Sequence, residues 1–337
     1  MSYLITGGAG YIGAHVVRAL TLAGEDVVVL DDLSSGLRER VPQDVPLVEG
    51  SVLDAGLLDR TFAEHRIECV VHLAAKKQVG ESVERPLHYY EQNVQGLQVL
   101  LGAVARASVP RFVFSSSAAV YGMPDVDLVT EDTPCAPMSP YGETKLAGEW
   151  LVRAAGRAHG VSTACLRYFN VAGAATPELA DTGVFNLVPM VFEKLTAGAA
   201  PQIFGDDYPT PDGTCVRDYI HVEDLAEAHV AAARALIESA GGDGGPQELT
   251  VNIGRGEGVS VREMVDLIAE VTGRPEPAAA VTPRRPGDPA RVVASAERIA
   301  KELGWTARHD VRDMVVSAWE GWCLRYPEAA APAGTPG

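Results

Sequence analysis

Hydrophobic residues in the first half of the chain come in short unbroken runs, separated by longer amphipathic stretches. YLITG opens the chain as a strand, and YIGAHVVRALTLAGE follows with apolar residues at helical spacing, ending near Gly24. DVVVLDD and VPLVEG read as the next two strands, DAGLLDRTFAEH as a helix and ECVVHLAA as a fourth strand. A long helical stretch runs from about Pro86 to Ala107, RFVFSSS is the fifth strand, and a helix carrying Tyr141 follows a polar loop. VSTACLRYFN is the next strand. Short apolar runs between amphipathic helices belong to strands buried on both faces and joined by right-handed crossovers. The expected fold is α/β: a doubly wound parallel (Rossmann) sheet.

After about Val171 the rhythm changes. PQIFGDDYPTPDGTCVRDYIHVEDL is rich in loop residues, and VEDLAEAHVAAARAL is a helix with Glu223 and Asp224 at its start. GGDGGPQ reads as a mobile linker, ELTVNIG as a strand returning to the sheet, VSVREMVDLIAEVTG as a helix and RRPGDPARVVAS as irregular. The expected organisation is a Rossmann domain over 1–170, with returning segments near 215–235 and 249–255. A smaller, mixed α/β C-terminal substrate domain covers 171–327, and 328–337 is a flexible tail. There is no internal repeat.

Composition narrows the function classes. The chain has 337 residues, 47% of them hydrophobic, enough for a substantial core. Its net charge of −17 argues against nucleic acid and anionic membrane surfaces as partners. The five cysteines, Cys69, Cys135, Cys165, Cys215 and Cys323, form no C-x-x-C pair. That argues against a disulfide framework or a zinc site and fits a reducing cytoplasm. MSYLITGGAG has neither the basic n-region nor the apolar h-region of a signal peptide, and no run is long enough to span a membrane. None of the eight histidines has ligand spacing, so no metal is expected.

The first strand runs into TGGAGYIG, with Gly7, Gly10 and Gly13 spaced three apart. Glycines here either close a tight strand-to-helix turn or let the backbone approach a pyrophosphate at a helix N-terminus. The context favours the second reading. Asp31 stands 18 residues beyond Gly13, at the end of the second strand, where a carboxylate accepts from ribose hydroxyls and repels a 2′-phosphate. The expected cofactor is NAD rather than NADP.

Tyr141 and Lys145 are spaced i, i+4 and share one helix face. Two surface residues would satisfy that spacing. A lysine beside a phenol would also lower the tyrosine pKa and make it a usable base. Ser117 ends the fifth strand, where strand ends of a doubly wound sheet face the ligand crevice. Alone it is a serine satisfying a strand end; beside the glycine turn and the Tyr141–Lys145 pair it becomes a candidate partner for a substrate hydroxyl.

TGGAGYIGAH, VGESVERPLHYY, FSSSAAVYG, SPYGETKL, LRYFNVAGA, IFGDDYPTPDGTCVRDYIHVEDLAEAH and RRPGDPA together resemble the extended short-chain dehydrogenase/reductase family, and within it the UDP-glucose (UDP-galactose) 4-epimerases. The resemblance covers nearly the whole chain. It implies reversible epimerisation at C4 of a UDP-hexose through a transient 4-keto sugar and NADH, with NAD tightly bound and recycled. It implies that Tyr141 is the base, Lys145 lowers its pKa and holds the nicotinamide ribose, and Ser117 bonds the 4-oxygen. It places Gly7, Gly10, Tyr11, Ile12, Gly13, Asp31, Asp32, Ser34, Gly36, Ser51, Leu73, Ala74, Lys77 and Phe169 on the cofactor, with Tyr168 beside Phe169. Asn170, Asn186, Phe204, Arg217, Arg285 and Asp288 fall on the UDP-sugar. It also implies a homodimer, through the 86–107 helix and the helix beginning at Tyr141.

Some positions depart from the family pattern. Ser51 stands where an aspartate usually bonds the adenine, Asp32 where asparagine is common, Gln92 where some members have asparagine and Ala119 where some have threonine. Val292 falls at the gate beside the sugar 2-substituent, where tyrosine restricts the pocket and small residues admit N-acetyl sugars. The expectation is that UDP-N-acetylhexosamines are also accepted. A 4-epimerase of UDP-glucuronate or a UDP-pentose is the main alternative. A 4,6-dehydratase would need an Asp-Glu pair where this chain has Ala118 and Ala119. A simple alcohol dehydrogenase would not need the UDP cradle, and a fold-retaining NAD sensor would not need an intact Ser-Tyr-Lys set.

Overall fold

The computed structural model describes residues 1–238, 245–275, 277–285 and 287–330. Strand β1 (Ser2–Thr6) leads into helix α1 (Tyr11–Leu22), then β2 (Asp26–Asp31), β3 (Leu47–Glu49), α2 (Ala55–Glu64) and β4 (Cys69–His72). Helices α3 (Val79–Glu84), α4 (Pro86–Tyr89) and α5 (Gly96–Arg106) precede β5 (Arg111–Ser117). Helix α6 (Pro140–His159) precedes β6 (Ser162–Tyr168) and β7 (Asn170–Ala172). Beyond lie α7 (Leu187–Thr196), β8 (Gln202–Phe204), β9 (Val216–His221), α8 (Val222–Glu238), β10 (Glu248–Ile253), β11 (Gly258–Ser260), α9 (Val261–Thr272), β12 (Ala280–Thr282) and β13 (Arg291–Val292). Helices α10 (Glu297–Leu303) and α11 (Val311–Arg325) complete the chain.

Seven parallel strands form the main sheet in the order β10-β6-β5-β4-β1-β2-β3. The chain steps outward from β1 to β3, then returns to lay β4 on the other side of β1. The C-terminal ends of β1 and β4 therefore open on one crevice, the topological switch point at which ligands bind in such sheets. Cys69–His72 is buried at every position because helices cover both faces. One face packs Val16, Val17 and Leu20 of α1 and Leu225, Ala228 and Leu236 of α8 against Ile5, Val29 and Val113. The other packs Leu58, Leu97, Leu100 and Val152 against Leu4, Val70 and Phe112.

A smaller lobe has its own core of Val191, Phe192, Tyr219, Met264, Ile268, Met314 and Trp322. Its strands β7, β9, β11 and β13 form one small sheet, and β8 pairs with β12.

Several expectations need adjusting. The 86–107 helix is not uniform: Tyr90–Gln95 is one turn of π-helix between α4 and α5. Of the returning segments, β10 joins the main sheet beside β6 and α8 packs on its face, whereas β9 belongs to the small lobe's sheet. Ile299 and Trp305, inside the expected substrate domain, pack in the main-sheet core. RRPGDPARVVAS is not wholly irregular, since Arg291–Val292 pairs with β9. Ala329, at the start of the expected tail, is buried: Pro327–Ala330 is a 3-10 turn, and the Ala329 carbonyl accepts from Arg274 at 3.0 Å. Residues 331–337 of the expected tail, and 241–244 of the expected linker, lie outside the described residues.

Helix α6 is seated on the sheet by a buried ion pair. Glu149 is fully buried and Arg167 of β6 nearly so. Arg167 donates from Nε to Oε1 at 2.8 Å and from Nη2 to Oε2 at 2.6 Å, and Ser116 Oγ donates to Oε1 at 2.6 Å. Removing one partner strands the other charge in the core. Glu149→Ala is expected to cost about 3–5 kcal/mol of stability by urea unfolding, and adding Arg167→Met to recover most of it. A double variant no more stable than the single would show that the stranded Arg167 charge is not the source of the loss.

Candidate active site

Ser117 sits where β5 leaves the sheet, and α6 begins over it. Ser139 caps α6 by accepting from the Gly142 N–H at 3.2 Å, and Pro140 occupies the first turn, so Tyr141 stands at the mouth of the helix. The Tyr141 phenol is buried beside Ser117. One helical turn on, Lys145 is buried with its Nζ 5.9 Å from the Tyr141 ring centroid, donating to the Ser115 carbonyl at 2.8 Å.

The expected effect of Lys145 on Tyr141 is not what dominates. Burial holds the phenol above its ordinary pKa, and the Ser117 hydroxyl beside it opposes this. Burial also pushes Lys145 down to about 8, because an ammonium in a dry pocket with only a carbonyl partner is poorly solvated.

Beneath this trio lies a directional chain. His229 Nδ1 donates to the Leu225 carbonyl at 2.8 Å, so Nε2 is the acceptor facing Ser115 Oγ at 2.9 Å. The serine whose carbonyl holds Lys145 thus has its side chain held from the other face.

Two cavities meet at Tyr141. A groove of about 250 Å³ follows the switch point and is lined by Gly7, Gly10, Tyr11, Ile12, Gly13, Asp31, Asp32, Ser34, Ser51, Leu73, Ala74, Lys77, Tyr141 and Lys145. Gly36 abuts the Asp31 carboxylate and does not line the groove. A cleft of about 790 Å³ between the lobes is lined by Ser117, Tyr141, Asn170, Asn186, Phe204, Arg217, Arg285, Asp288 and Val292. Phe169, expected on the cofactor, is among the residues lining this cleft, and its side chain joins Val120, Leu146 and Val292 in a small apolar cluster. Tyr11, Ile12, Lys77, Tyr141, Tyr168 and Phe185 border both spaces.

The groove fits a dinucleotide. Gly7 has φ +74°, and a Cβ there would lie 2.7 Å from the Ala74 nitrogen. A Cβ on Gly13 would lie 2.0 Å from the Gly7 carbonyl oxygen. Only glycine permits this turn, and α1 starts from it without a side-chain cap, leaving its first N–H groups free for an anion. Asp31 accepts from the Ala9 and Leu33 N–H groups, each at 2.9 Å, and each oxygen keeps a lone pair for a hydroxyl. Burial raises its pKa. Ser51 accepts from the Leu53 N–H at 3.2 Å, and its hydroxyl hydrogen remains to donate.

In the cleft, Arg217 pairs with Asp288 at 2.8 Å, and Arg285 stacks on Phe204 with 3.7 Å between guanidinium and ring centroid. Asn186 donates to Asp181 at 2.8 Å. The cleft therefore carries two arginines with planar forks, a carboxylate and an aromatic face, the chemistry of a nucleoside diphosphate site.

Two contributors escaped the sequence reading. Asn93, in the π-turn, accepts from the Lys76 N–H at 2.8 Å and donates to the Lys76 carbonyl and Thr144 Oγ1, tying the loop after β4 to the Tyr141 helix. Its neighbour Gln92, which was noticed, lines the groove. Glu149 was legible in principle, since Tyr141, Lys145 and Glu149 make one i, i+4, i+8 stripe. Among the histidines, His221 and His309 converge with Glu223 across 88 residues of sequence, a closeness that spacing cannot reveal. Both nitrogens of His221 are already engaged, Nδ1 by the Glu223 N–H and Nε2 by Ser317.

The family model described as "NAD dependent epimerase/dehydratase family" matches residues 3–254. The UDP-glucose 4-epimerase of Azospirillum brasilense is 47% identical over 99% of this chain and 95% of its own length. The structure of UDP-glucose 4-epimerase from Brucella ovis in complex with NAD superposes with a TM-score of 0.89 at 39% identity, covering 94% of this chain and 97% of that one. That of the Bifidobacterium longum enzyme in complex with NAD+ and UDP gives 0.87 at 38% identity, covering 98% and 100%.

Burial makes stability pH-dependent. It lowers His15, His221 and His229 to about 4 and His72 to about 3, against about 6.5 in the unfolded chain. Below pH 6.5 the unfolded state binds protons that the folded state refuses, so stability falls as pH drops from about 6.5 towards 4. Urea unfolding at pH 5 should show roughly 1–2 kcal/mol less stability per imidazole than at pH 7.5. A flat profile over that range would mean these imidazoles are not held neutral.

Proposed function

Because the chain belongs to the NAD dependent epimerase/dehydratase family, we propose that it is a UDP-glucose 4-epimerase, inverting C4 of UDP-glucose and UDP-galactose with bound NAD. The observation that carries the reading is the meeting of the dinucleotide groove and the inter-lobe cleft at Tyr141, with Ser117 on the cleft side.

In this reading Gly7, Gly13 and the start of α1 hold the diphosphate of NAD, and Asp31 its adenosine ribose. When bound, NAD supplies the acceptor that takes the C4 hydride and gives it back. Ser117 positions the sugar 4-oxygen, and Tyr141 takes the 4-hydroxyl proton as C4 becomes a ketone. After the 4-keto sugar presents its other face, Tyr141 returns the proton and C4 is inverted. Burial by itself keeps the phenol neutral, so its use as a base depends on cationic charge gathered around it: Lys145 and the oxidised nicotinamide. Arg217, Arg285 and Asn186 bind the UDP diphosphate, Asp288 a ribose hydroxyl and Phe204 the base. Ala118 and Ala119 line the cleft with methyl groups, which supports epimerisation over elimination.

Val292, packed beside Phe169 and Leu146, leaves a small apolar wall where the sugar 2-substituent would lie. Valine is intermediate in size, smaller than a tyrosine at this place, which supports UDP-N-acetylhexosamines as substrates as well. We further infer a homodimer built on the 86–107 stretch, α4 to α5, and on α6, supported by the exposure of Leu87 of α4 and Trp150 of α6. Five unpaired thiols support a cytoplasmic setting. No helix among the described residues is long and apolar enough to cross a membrane.

One assay tests the chemistry: purified protein without added cofactor, given UDP-glucose, UDP-N-acetylglucosamine or UDP-glucuronate, with products resolved by NMR. UDP-glucose and UDP-galactose should interconvert, and Tyr141→Phe should lower the rate about 10²–10⁴-fold. No turnover of any sugar after NAD is supplied would sink the function. No turnover of UDP-N-acetylglucosamine alone would sink the Val292 reading. Light scattering tests the assembly: a dimer is expected, with Trp150→Glu shifting it to monomer, and a monomeric parent protein would end that proposal.

A further inference from the structure

Arg40 closes the short 3-10 turn Arg38–Arg40 that follows the loop over Asp31. It is only 5% exposed, yet among the described residues no carboxylate lies within 4.0 Å of its guanidinium. Nη2 donates to the Ala180 carbonyl at 2.5 Å and to Thr182 Oγ1 at 3.3 Å, and Nε has no hydrogen-bond partner. A buried cation bonded directly only to a carbonyl and a hydroxyl is costly, because neither carries a full negative charge, and the Asp181 carboxylate acts on it only from beyond 4.0 Å. Arginine does not escape by losing its proton. The guanidinium therefore keeps capacity for a directly paired anion.

The location says where. Arg40 lines the dinucleotide groove together with Gly10, Tyr11 and Gly13, at the uncapped start of α1. The charged groups that act on it most are Asp181, Arg325 and Glu39, and Asp31 is not among them. The Asp181 carboxylate accepts from Asn186 and the Gly183 N–H and does not pair with Arg40 directly. Two positive features, a helix N-terminus and a buried guanidinium, thus border the same groove.

We propose that Arg40 is a clamp for the diphosphate of the dinucleotide, and that through Ala180 and Thr182 it latches the small lobe across the groove; this rests on the NAD reading above. A planar guanidinium suits a diphosphate, and its bonds to residues 140 positions later in the chain mean that the cofactor leaves only when the latch opens. This supplies a structural reason for retaining NAD between turnovers.

The test compares the parent protein with Arg40→Met and Arg40→Lys. NAD per chain is measured after purification, and stripped proteins are titrated with NAD, ADP-ribose and adenosine by calorimetry, with circular dichroism to check folding. Arg40→Met should bind NAD and ADP-ribose about tenfold or more weakly, the loss expected for a charge-assisted bond, with adenosine within about twofold. It should also purify with less NAD. Unchanged NAD affinity, or an equal loss for adenosine, overturns the clamp while leaving the NAD reading intact. A parent protein that binds neither NAD nor ADP-ribose sinks the NAD reading, and the clamp with it. If Arg40→Met does not fold, Arg40→Lys decides: about threefold or more weaker NAD binding with adenosine unchanged supports the planar fork, and no change overturns it.

Discussion

The Glu149–Arg167 pair is the constraint on which the geometry of the candidate site depends. It joins α6 to β6, and Ser116 of β5 donates to the same carboxylate, so one buried charge registers one helix against two strands. Tyr141 and Lys145 stand two turns and one turn before Glu149 on the same helix face. Rotating or sliding α6 would break the pair as it moved the phenol. Arg167 also donates to Tyr121, which donates to Asn252 of β10, so the restraint reaches the sheet edge. A buried ion pair is weak evidence for stability but strong evidence for register, because a misplaced charge has no solvent to retreat to.

The three consecutive serines of β5 divide the labour by strand geometry. Side chains alternate between faces, and strand ends face the crevice. Ser116 points to α6 and holds Glu149; Ser115 points to α8 and meets His229. Ser117, at the exit, is free to turn to Tyr141. The Ser115 carbonyl meanwhile fixes Lys145. A tripeptide of one residue type thus touches every member of the candidate trio or its support.

The acidic net charge of the chain does not describe its crevice. Lys77, Arg40, Arg217 and Arg285 border the two cavities, and the start of α1 adds its dipole. Local cations within a few ångströms outweigh a diffuse surface charge that salt screens beyond about 8–10 Å. Excluding nucleic acid on net charge is therefore compatible with expecting a phosphorylated ligand.

Alternating apolar runs and amphipathic stretches were sufficient for the parallel sheet and its helices, since double-sided burial is written into every position of a strand such as CVVH. Local spacing was sufficient for the glycine turn, for Asp31 at the strand end, and for Tyr141 and Lys145 on one face. Other features lay beyond local pattern. The assignment of β9 to the second sheet, the π-turn that aims Asn93, the packing of Ala329 and the burial of Arg40 all depend on partners 17 to 142 residues distant. The balance on Tyr141 depends on them too: spacing puts a cation one turn away, but only packing decides whether burial or charge prevails. Periodicity records which way a residue faces along its own element, whereas a pKa, a latch or a lobe boundary is set by what the rest of the chain brings to meet it.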